Sequence, residues 1–334
     1  MTRRDRLVTL AQAMIADGSK SFAAASRLFD RTTRERVWLL YAWCRRCDDL
    51  IDGQDLGGTL GVVHDVTARL QQVRALTGLG LTGAETGDTA FDCLGVVAAE
   101  TGLTQAMADA VIGGFALDAT GWRPQTETDM MRYCWHVAGA VGVMMAVVMG
   151  VKPDDDATLE RACDLGLAFQ LANIMRDLAE DHAAGRCYVP TDWLTEAGIP
   201  ADDALNPVYR NALAGIARRM GALAAAHEAS ARIGAARLSV RQRWAILAAA
   251  GIYGDMARQV ARRGSTAWDS RTVVSNARKT GWIARALVQT MVPVPARLRR
   301  LAGGRTFTMR ELSGLGVSPN GVLGRMRHDD RTHS

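Results

Sequence analysis

The chain has little proline and few aromatic residues: its 334 residues include 8 prolines, and Phe, Trp and Tyr together make up 6%. It also lacks an apolar run of the roughly 20 residues needed to cross a bilayer, since the longest run, over residues 137–151, contains glycines. No apolar stretch follows the charged N-terminus, so we expect a cytoplasmic protein without a signal peptide. Few prolines and many alanines favour long helices.

Cysteine is also scarce, and only Cys44 and Cys47 have the Cys-x-x-Cys spacing of a redox or zinc site. No second pair and no Cys/His cluster accompanies them, so we interpret the cysteines as reduced thiols on a helix. The sequence also lacks a glycine-rich dinucleotide fingerprint, although a nicotinamide cofactor does not always require one.

Positive charge is concentrated near the C-terminal end. Residues 258–310 contain twelve lysines and arginines but a single acid, Asp269, which gives this segment a net charge of +11 within a chain of +5. Such a segment suits nucleic acid, diphosphates or anionic lipid. No base-reading motif accompanies it, so we do not expect nucleic acid as a partner.

Apolar residues recur with the 3.6-residue period of amphipathic helices along most of the chain. The predicted helices cover residues 5–16, 22–29, 33–52, 60–77, 89–100, 104–117, 127–149, 156–181, 208–232, 239–263 and 271–290. Glycine or proline separates them, and no segment shows strand alternation. We therefore predict an all-α fold with one domain over residues 1–292 and a basic, partly disordered extension over residues 293–334.

Two acidic motifs of the form Asp-x-x-x-Asp lie inside predicted helices. Asp48 and Asp52 form the first motif, and Asp177 and Asp181 form the second. Residues four apart share a helix face, so the two carboxylates of each motif point in the same direction. Polar residues extend these two faces at helical spacing: Tyr41 and Arg45 before the first motif, and Gln170 and Asn173 before the second.

Two interpretations of these motifs are open at this point. In the first, Arg45, Arg46 and Arg176 neutralise the acids, and the ion pairs serve only the structure. In the second, two facing helices hold Mg²⁺, which typically binds one or two carboxylates together with substrate phosphates. The metal would then clamp a diphosphate and neutralise it as it leaves. Two motifs, each preceded by polar residues in register, favour the second interpretation.

Five segments, in this order, resemble the squalene/phytoene synthase family over residues 10–290. They are residues 18–22, 41–53, 133–142, 170–181 and 186–190. The resemblance implies a single-domain isoprenoid-synthase helical bundle around a central cavity. It also implies a head-to-head condensation of two prenyl diphosphates. One substrate loses diphosphate, the cation attacks its partner to give a cyclopropylcarbinyl diphosphate, and a second ionisation and rearrangement give a linear hydrocarbon.

The same resemblance implies roles for individual residues. The expected ligands of Mg²⁺, or of Mn²⁺ in its place, are Asp48, Asp52, Asn173, Asp177 and Asp181. The expected catalytic residues are the four aspartates of the motifs with Tyr41, Arg45 and Tyr133. The expected substrate-binding residues are Ser19, Ser21, Phe22, Arg45, Gln170, Arg176, Arg186, Tyr188 and Tyr253. Arginine suits a diphosphate because its planar fork donates two hydrogen bonds at once.

The small apolar helix over residues 137–149 is expected to wall a tunnel for isoprenoid tails, with Gly139 and Gly142 leaving room for them. The segments around Asp48 and Tyr188 are most similar to those of bacterial phytoene synthases. This similarity predicts geranylgeranyl diphosphate as the substrate, phytoene as the product and no use of NADPH.

Two alternatives stay open. One is a C30 enzyme, a squalene or dehydrosqualene synthase that uses farnesyl diphosphate. The other is a non-catalytic assembly factor, which the two intact acidic motifs disfavour. The basic C-terminal region around Trp282 predicts peripheral contact with the inner face of an anionic membrane. Other enzymes of carotenoid biosynthesis are further expected partners.

Overall fold

Helices make up the regular structure of this chain. The computed structural model describes residues 1–18, 25–53 and 65–314, and no strand occurs among these residues. The first half contains α1 (Arg3–Gly18), α2 (Arg31–Asp52), α3 (Val66–Leu81), α4 (Thr89–Thr101) and α5 (Gln105–Ala119). The second half contains α6 (Glu127–Cys134), α7 (Ala140–Val148), α8 (Asp156–Ala183), α9 (Thr191–Glu196), α10 (Arg210–Gly234), α11 (Val240–Arg263), α12 (Asn276–Thr290), α13 (Ala296–Ala302) and α14 (Met309–Leu312). The predicted all-α fold is confirmed.

Local signals explain where the helices that carry the acidic motifs begin and end. Asp30 caps α2 by accepting a hydrogen bond from the main-chain N–H of Thr33, and Asp155 caps α8 in the same way through Thr158. Gly53 ends α2 with a left-handed φ of 64°. The first acidic motif therefore occupies the last turn of α2.

Helices α6 and α7 are joined by a π-helical turn at Trp135–Gly139, so the chain stays helical from Glu127 to Val148. By length and composition this helix qualifies as a candidate membrane span, but 61% of its most apolar stretch is buried inside the protein. It packs against α8 and α5. We describe it as a core helix, as the sequence predicts.

Glycines bring α7 and α8 into close contact. A Cβ atom on Gly142 would lie 2.4 Å from the main-chain oxygen of Ala162, and one on Gly166 would lie 2.1 Å from that of Ala138. Side-chain carbons do not approach other atoms this closely. The expectation that Gly139 and Gly142 leave room for isoprenoid tails is therefore wrong, because α8 occupies that space. The contact instead fixes the short distance between the backbones of α7 and α8.

Helix α8 runs through the middle of the bundle and packs against α7, α10 and α11. Apolar residues bury most of its surface: Leu159, Cys163, Leu167, Leu171, Ile174, Met175 and Leu178. The remaining stripe carries the polar residues of the second motif. It faces a cavity rather than solvent or core.

The segment after residue 292 continues the fold. Arg305 forms ion pairs with Glu160 at 2.9 Å and with the buried Asp164 at 2.7 Å. The main-chain N–H of Met309 donates to Glu160 at 3.0 Å, and Leu312 is buried. The predicted extension over residues 293–334 is thus packed on the bundle as far as residue 314, because its arginine neutralises acids of α8. Residues 315–334 lie outside the described part of the chain.

Candidate active site

A cavity of about 590 Å³ opens where α2, α5, α6 and α8 meet the loop that follows α8. We call it the acid cavity. Its wall is formed mostly by carboxylates, amides, guanidinium groups and tyrosines, with three apolar side chains between them. The lining residues are Arg45, Asp48, Ile51, Phe115, Asp118, Tyr133, Gln170, Asn173, Ile174, Arg176, Asp177, Asp181, Arg186 and Tyr188. Ten predicted site residues from four separate segments therefore meet in one place.

The remaining predicted site residues are placed differently. Ser19, Ser21 and Phe22 lie outside the described residues, and so does the side chain of Asp52. Tyr41 and Tyr253 are absent from the described lining of the acid cavity.

The first acidic motif is paired with its own helix. Arg45 lies 3.0 Å from Asp48 and 2.6 Å from Asp49, and Asp49 is buried. Burial alone would lower the pKa of Arg45, but the hydrogen bond to Asp49 and the charge of Asp48 raise it. Arg46 pairs instead with Asp88 at 2.7 Å. Asp49 was not predicted as a site residue from the sequence. Its ion pair nevertheless fixes the orientation of the Arg45 side chain.

The second motif is paired with two arginines. Arg176 contacts both carboxylate oxygens of Asp177, with its Nε 2.6 Å from Oδ1. Arg271, on the loop after α11, lies 2.9 Å from Asp177 and 3.5 Å from Glu180. Burial tends to raise the pKa of Asp177, but the two guanidinium groups outweigh it and hold this pKa below its ordinary value. No local signal in the sequence identifies Arg271, which is one of twelve basic residues in its segment.

Asp181 has the opposite electrostatic environment. Burial raises its pKa to about 7, and the negative charges of Asp177 and Asp118 add to this effect, while Arg186 opposes it. No ion pair to Asp181 is found in residues 1–18, 25–53 and 65–314. Asp181 is therefore a partly buried carboxyl group that no described arginine pairs with directly.

Asp118 is a further cavity residue that sequence reasoning missed. It accepts hydrogen bonds from the hydroxyl of Tyr188 at 2.7 Å and from that of Tyr133 at 3.2 Å. The two tyrosine rings stack with their centroids 4.6 Å apart. Burial, followed by the charge of Asp118, raises the pKa of both hydroxyls, which stay protonated. Its place in the last turn of α5, next to Leu117 in a mostly apolar helix, is the one signal that could have identified it.

Tyr41 and Tyr253 lie beside the acid cavity rather than in its described wall. Tyr41 is half-buried on α2, and its hydroxyl approaches Gly18, where a Cβ atom would lie 2.5 Å from it. Tyr253 stacks on Phe169 with ring centroids 3.9 Å apart. It lines a smaller cavity of about 110 Å³ between α8, α10 and α11. The charges of Arg176 and Asp177 are close enough to affect its pKa, which burial raises.

The donor atoms of the acid cavity fit a hard divalent cation. Its lining offers carboxylate and amide oxygens from Asp48, Asn173, Asp177 and Asp181, and no His or Cys is present among the lining residues. Oxygen donors suit Mg²⁺ and Mn²⁺. No group of three or more His, Cys, Asp or Glu residues in the described ranges is close enough to hold a metal by itself. This agrees with Mg²⁺, which takes few protein carboxylates and completes its shell with phosphate and water.

Several known proteins are similar to this chain. The phytoene synthase of Pseudescherichia vulneris is 43% identical over 293 residues, covering 85% of this chain and 94% of that protein. The 15-cis-phytoene synthase of Paracoccus sp. is 40% identical over 322 residues, covering 96% of this chain and 99% of that protein. Similarity thus extends over nearly the full length of these relatives.

Solved structures and the family comparison agree. A dehydrosqualene synthase superposes with a TM-score of 0.74 at 25% identity, covering 85% of this chain and 96% of that one. The squalene synthase HpnC of Alicyclobacillus acidocaldarius has the same fold, with a TM-score of 0.70 at 22% identity over 78% of this chain and 95% of that one. Residues 15–278, which contain every residue of the acid cavity, match the squalene/phytoene synthase family. This chain belongs to the squalene/phytoene synthase family.

Proposed function

We propose that this chain is a 15-cis-phytoene synthase, a prenyltransferase that condenses two molecules of geranylgeranyl diphosphate to phytoene. The reaction passes through a cyclopropylcarbinyl diphosphate and serves carotenoid biosynthesis. Relatives that carry this name are 40–43% identical over most of the chain. A prenyl diphosphate substrate and a divalent metal are consistent with the family.

One observation carries the proposal: Asp48 of the first acidic motif and Asp177 and Asp181 of the second line the same cavity. Three arginines, Arg45, Arg176 and Arg186, line it with them. The ion-pair interpretation accounts for Asp48 and Asp177, which contact arginines. It does not account for Asp181, which has no ion pair among the described residues and whose pKa is raised by burial first and then by the neighbouring charge of Asp177. A site that binds a cation and an anion together accounts for the paired aspartates and for Asp181. The metal would neutralise the acids, while the diphosphate would bind the arginines.

The chain's own residues have distinct tasks in this reaction. Arg45, Arg176 and Arg186 would bind the oxygens of the departing diphosphate and orient it. Mg²⁺, held by Asp48, Asn173, Asp177 and Asp181, would supply charge neutralisation to the leaving group. Arg45 and Arg176 pair with acids of the cavity wall, which keeps their side chains in place. They are therefore placed before substrate arrives, which lowers the entropic cost of binding.

The tyrosine pair would act on the carbocation. The faces of aromatic rings attract cations, and Tyr133 and Tyr188 line the cavity as a stack. Asp118 holds both hydroxyls, so the rings keep one orientation. Ile51, Phe115 and Ile174 contribute apolar wall that limits the access of water to the cation.

The metal identity and the cellular context are part of the proposal. We propose Mg²⁺ as the cofactor, with Mn²⁺ as a substitute, and no NADPH. We also propose a cytoplasmic enzyme with peripheral contact to the inner face of the membrane. Other enzymes of the carotenoid pathway are proposed as partners, because the hydrocarbon product is insoluble in water.

A product analysis tests the function. The purified protein is incubated with Mg²⁺ and either geranylgeranyl or farnesyl diphosphate, with and without NADPH, and the hydrocarbon is identified. We expect phytoene from geranylgeranyl diphosphate without NADPH. Preferential turnover of farnesyl diphosphate would make it a C30 enzyme, and a strict need for NADPH would make it a squalene synthase. No product from a folded protein would favour the assembly-factor alternative.

A further inference from the structure

Exposed apolar residues gather where α12 ends. Val288 is 64% exposed and Met291 is 73% exposed, and Leu287 and Val292 beside them are also exposed. Arg243 of α11 donates to the main-chain oxygens of Gln289 and Val292, so the start of α11 lies next to this end of α12. That places the exposed Val240 at the same end. We call Val240, Leu287, Val288, Met291 and Val292 the apolar patch.

Arginines without acidic partners adjoin the apolar patch along the chain. All are exposed, and none lies within ion-pair distance of a carboxylate in the described residues: Arg241, Arg285, Arg297, Arg299 and Arg300. Arg285 lies close in sequence to Leu287 and Val288. The last three belong to α13, whose first residue follows Met291 by five positions and so lies within about 18 Å of it.

The other arginines of the same basic segment are used differently. Arg258 pairs with Glu228 at 3.1 Å, Arg278 with Asp255 at 2.6 Å and Arg305 with Asp164 at 2.7 Å. Arg271 pairs with Asp177 in the acid cavity. The charge of the segment therefore divides into arginines that neutralise acids of the bundle and arginines that remain uncompensated around exposed apolar side chains.

We propose that the apolar patch and its five arginines form a surface that docks on a bilayer containing anionic lipid. Basic residues attract anionic headgroups, while side chains such as Val288 and Met291 insert at the level of the headgroup–acyl boundary. A second copy of the chain fits this surface poorly, because a contact between two such surfaces would bring uncompensated arginines together. Nucleic acid would use the arginines but would leave the apolar patch without a role.

The benefit of docking rests on the proposed function, because an enzyme with apolar prenyl substrates and a hydrocarbon product gains from contact with the phase that dissolves them. The docking itself does not depend on the reaction. Vesicle binding and turnover in detergent are therefore measured separately, and a failure of one leaves the other result intact.

Co-sedimentation with vesicles tests the docking surface. Vesicles of phosphatidylcholine with and without phosphatidylglycerol are mixed with the full chain over a range of salt concentrations. We expect binding to the anionic vesicles that weakens as salt rises, because electrostatic attraction to the surface is screened. Binding to neutral vesicles should be much weaker.

Two variants address the two halves of the surface. The double variant Val288→Glu/Met291→Glu should lose binding at all salt concentrations. The triple variant Arg297→Gln/Arg299→Gln/Arg300→Gln should bind anionic vesicles about 100-fold more weakly at low salt, since each basic residue at a membrane surface contributes about a 5-fold factor. Both variants should keep wild-type turnover of substrate presented in detergent.

Matched controls use residues of the same kind elsewhere. Val208 is 80% exposed outside the patch, and Val208→Glu should bind like the wild type. The triple variant Arg6→Gln/Arg74→Gln/Arg132→Gln removes three exposed arginines from α1, α3 and α6 and should change binding little. Wild-type binding by the Val288→Glu/Met291→Glu variant would overturn the proposal, as would a dimer that dissociates in that variant. Binding of duplex DNA that displaces vesicles and ignores the apolar substitutions would assign the surface to nucleic acid instead.

Discussion

Arg271 lies 2.9 Å from Asp177, although the two residues are 94 positions apart in the chain. One arginine of the basic segment thus reaches the second acidic motif and, with Arg176, neutralises an expected metal ligand. A substrate and a metal would release both guanidinium groups to the diphosphate. The positive charge of the basic segment therefore extends to the acid cavity.

Replacing Arg271 should weaken substrate binding. In Arg271→Gln, kcat/KM for the prenyl diphosphate should fall by about tenfold, mostly through KM, because one charge that attracts the diphosphate is lost. Arg262→Gln is the control, since Arg262 is similarly exposed and lies 3.9 Å from Asp255, away from the cavity. Equal kcat/KM values in the two variants would show that Arg271 pairs with Asp177 without contributing to substrate binding.

Both acidic motifs should be required for turnover. Asp48→Asn and Asp177→Asn keep the side-chain size but remove a charge that a metal needs, so each should lower kcat by at least about 100-fold. Helical circular dichroism should be unchanged. Asp109→Asn changes an exposed aspartate of α5 outside the cavity and should be neutral. Near-normal rates in either cavity variant would return that motif to the ion-pair interpretation.

Asp181 should make the metal-free protein less stable as pH rises. The pKa of Asp181 is about 7 in the folded state and 3.8 ordinarily, so between these pH values the folded protein binds a proton that the unfolded chain has lost. The free energy of unfolding therefore falls as pH rises through this range, and the loss is complete above about pH 7. For a fully buried group this pKa shift corresponds to a loss of roughly 4 kcal/mol in the free energy of unfolding. We expect a loss of about 2 kcal/mol, because the Asp181 side chain is partly exposed.

The variant Asp181→Asn separates this effect from others. With a chelator present, urea unfolding should show the variant to be more stable than the wild type at about pH 8 and equal to it at about pH 4. Added Mg²⁺ should reduce the difference at the higher pH, because the metal favours the ionised carboxylate of the wild type. A difference that is the same at both pH values would refute the assigned charge environment.

The close contact between α7 and α8 should tolerate no side chain. Gly166→Ala would place a Cβ atom 2.1 Å from the main-chain oxygen of Ala138, so we expect a loss of at least about 3 kcal/mol in the free energy of unfolding. Gly281→Ala is the matched control, since a Cβ there meets no atom within 4 Å on the exposed side of α12. That variant should be stabilised by about 0.5–1 kcal/mol through helix propensity, and equilibrium unfolding measures both.

The helices that carry the acidic motifs could be predicted well because their signals are local. The period of apolar residues identified α2 and α8, and Gly53 ended α2 where the sequence indicated. The grouping of Arg45, Asp177 and Arg186 in one cavity followed from the resemblance of ordered motifs. Spacing within a helix is fixed by geometry, so such predictions hold when the helix forms.

Contacts between distant segments could not be predicted in the same way. Asp118 and Arg271 carry no motif, and only the packing of α5 and of the loop after α11 brings them to the cavity. Gly142 was interpreted as space for substrate, whereas the space is filled by the backbone of α8. A glycine in an apolar helix is compatible with both a cavity and a close helix contact, and the sequence does not distinguish them. The packing of residues 293–314 on the bundle has no local signal for a related reason, since Arg305 pairs with Asp164, 141 positions away in the chain.

The π-helical turn at Trp135–Gly139 lies within one continuous helix and changes the direction in which the side chains after it point. Before it, Tyr133 faces the acid cavity, and after it, Gly142 faces the backbone of α8. A regular α-helix advances about 100° per residue, so the additional residue of the wider turn rotates the two ends relative to each other. Deleting one residue from this turn would restore a regular α-helix. Either Tyr133 would then leave the acid cavity or Gly142 would leave its contact with α8. One additional residue in the turn thus lets the same helix serve both the cavity and the core.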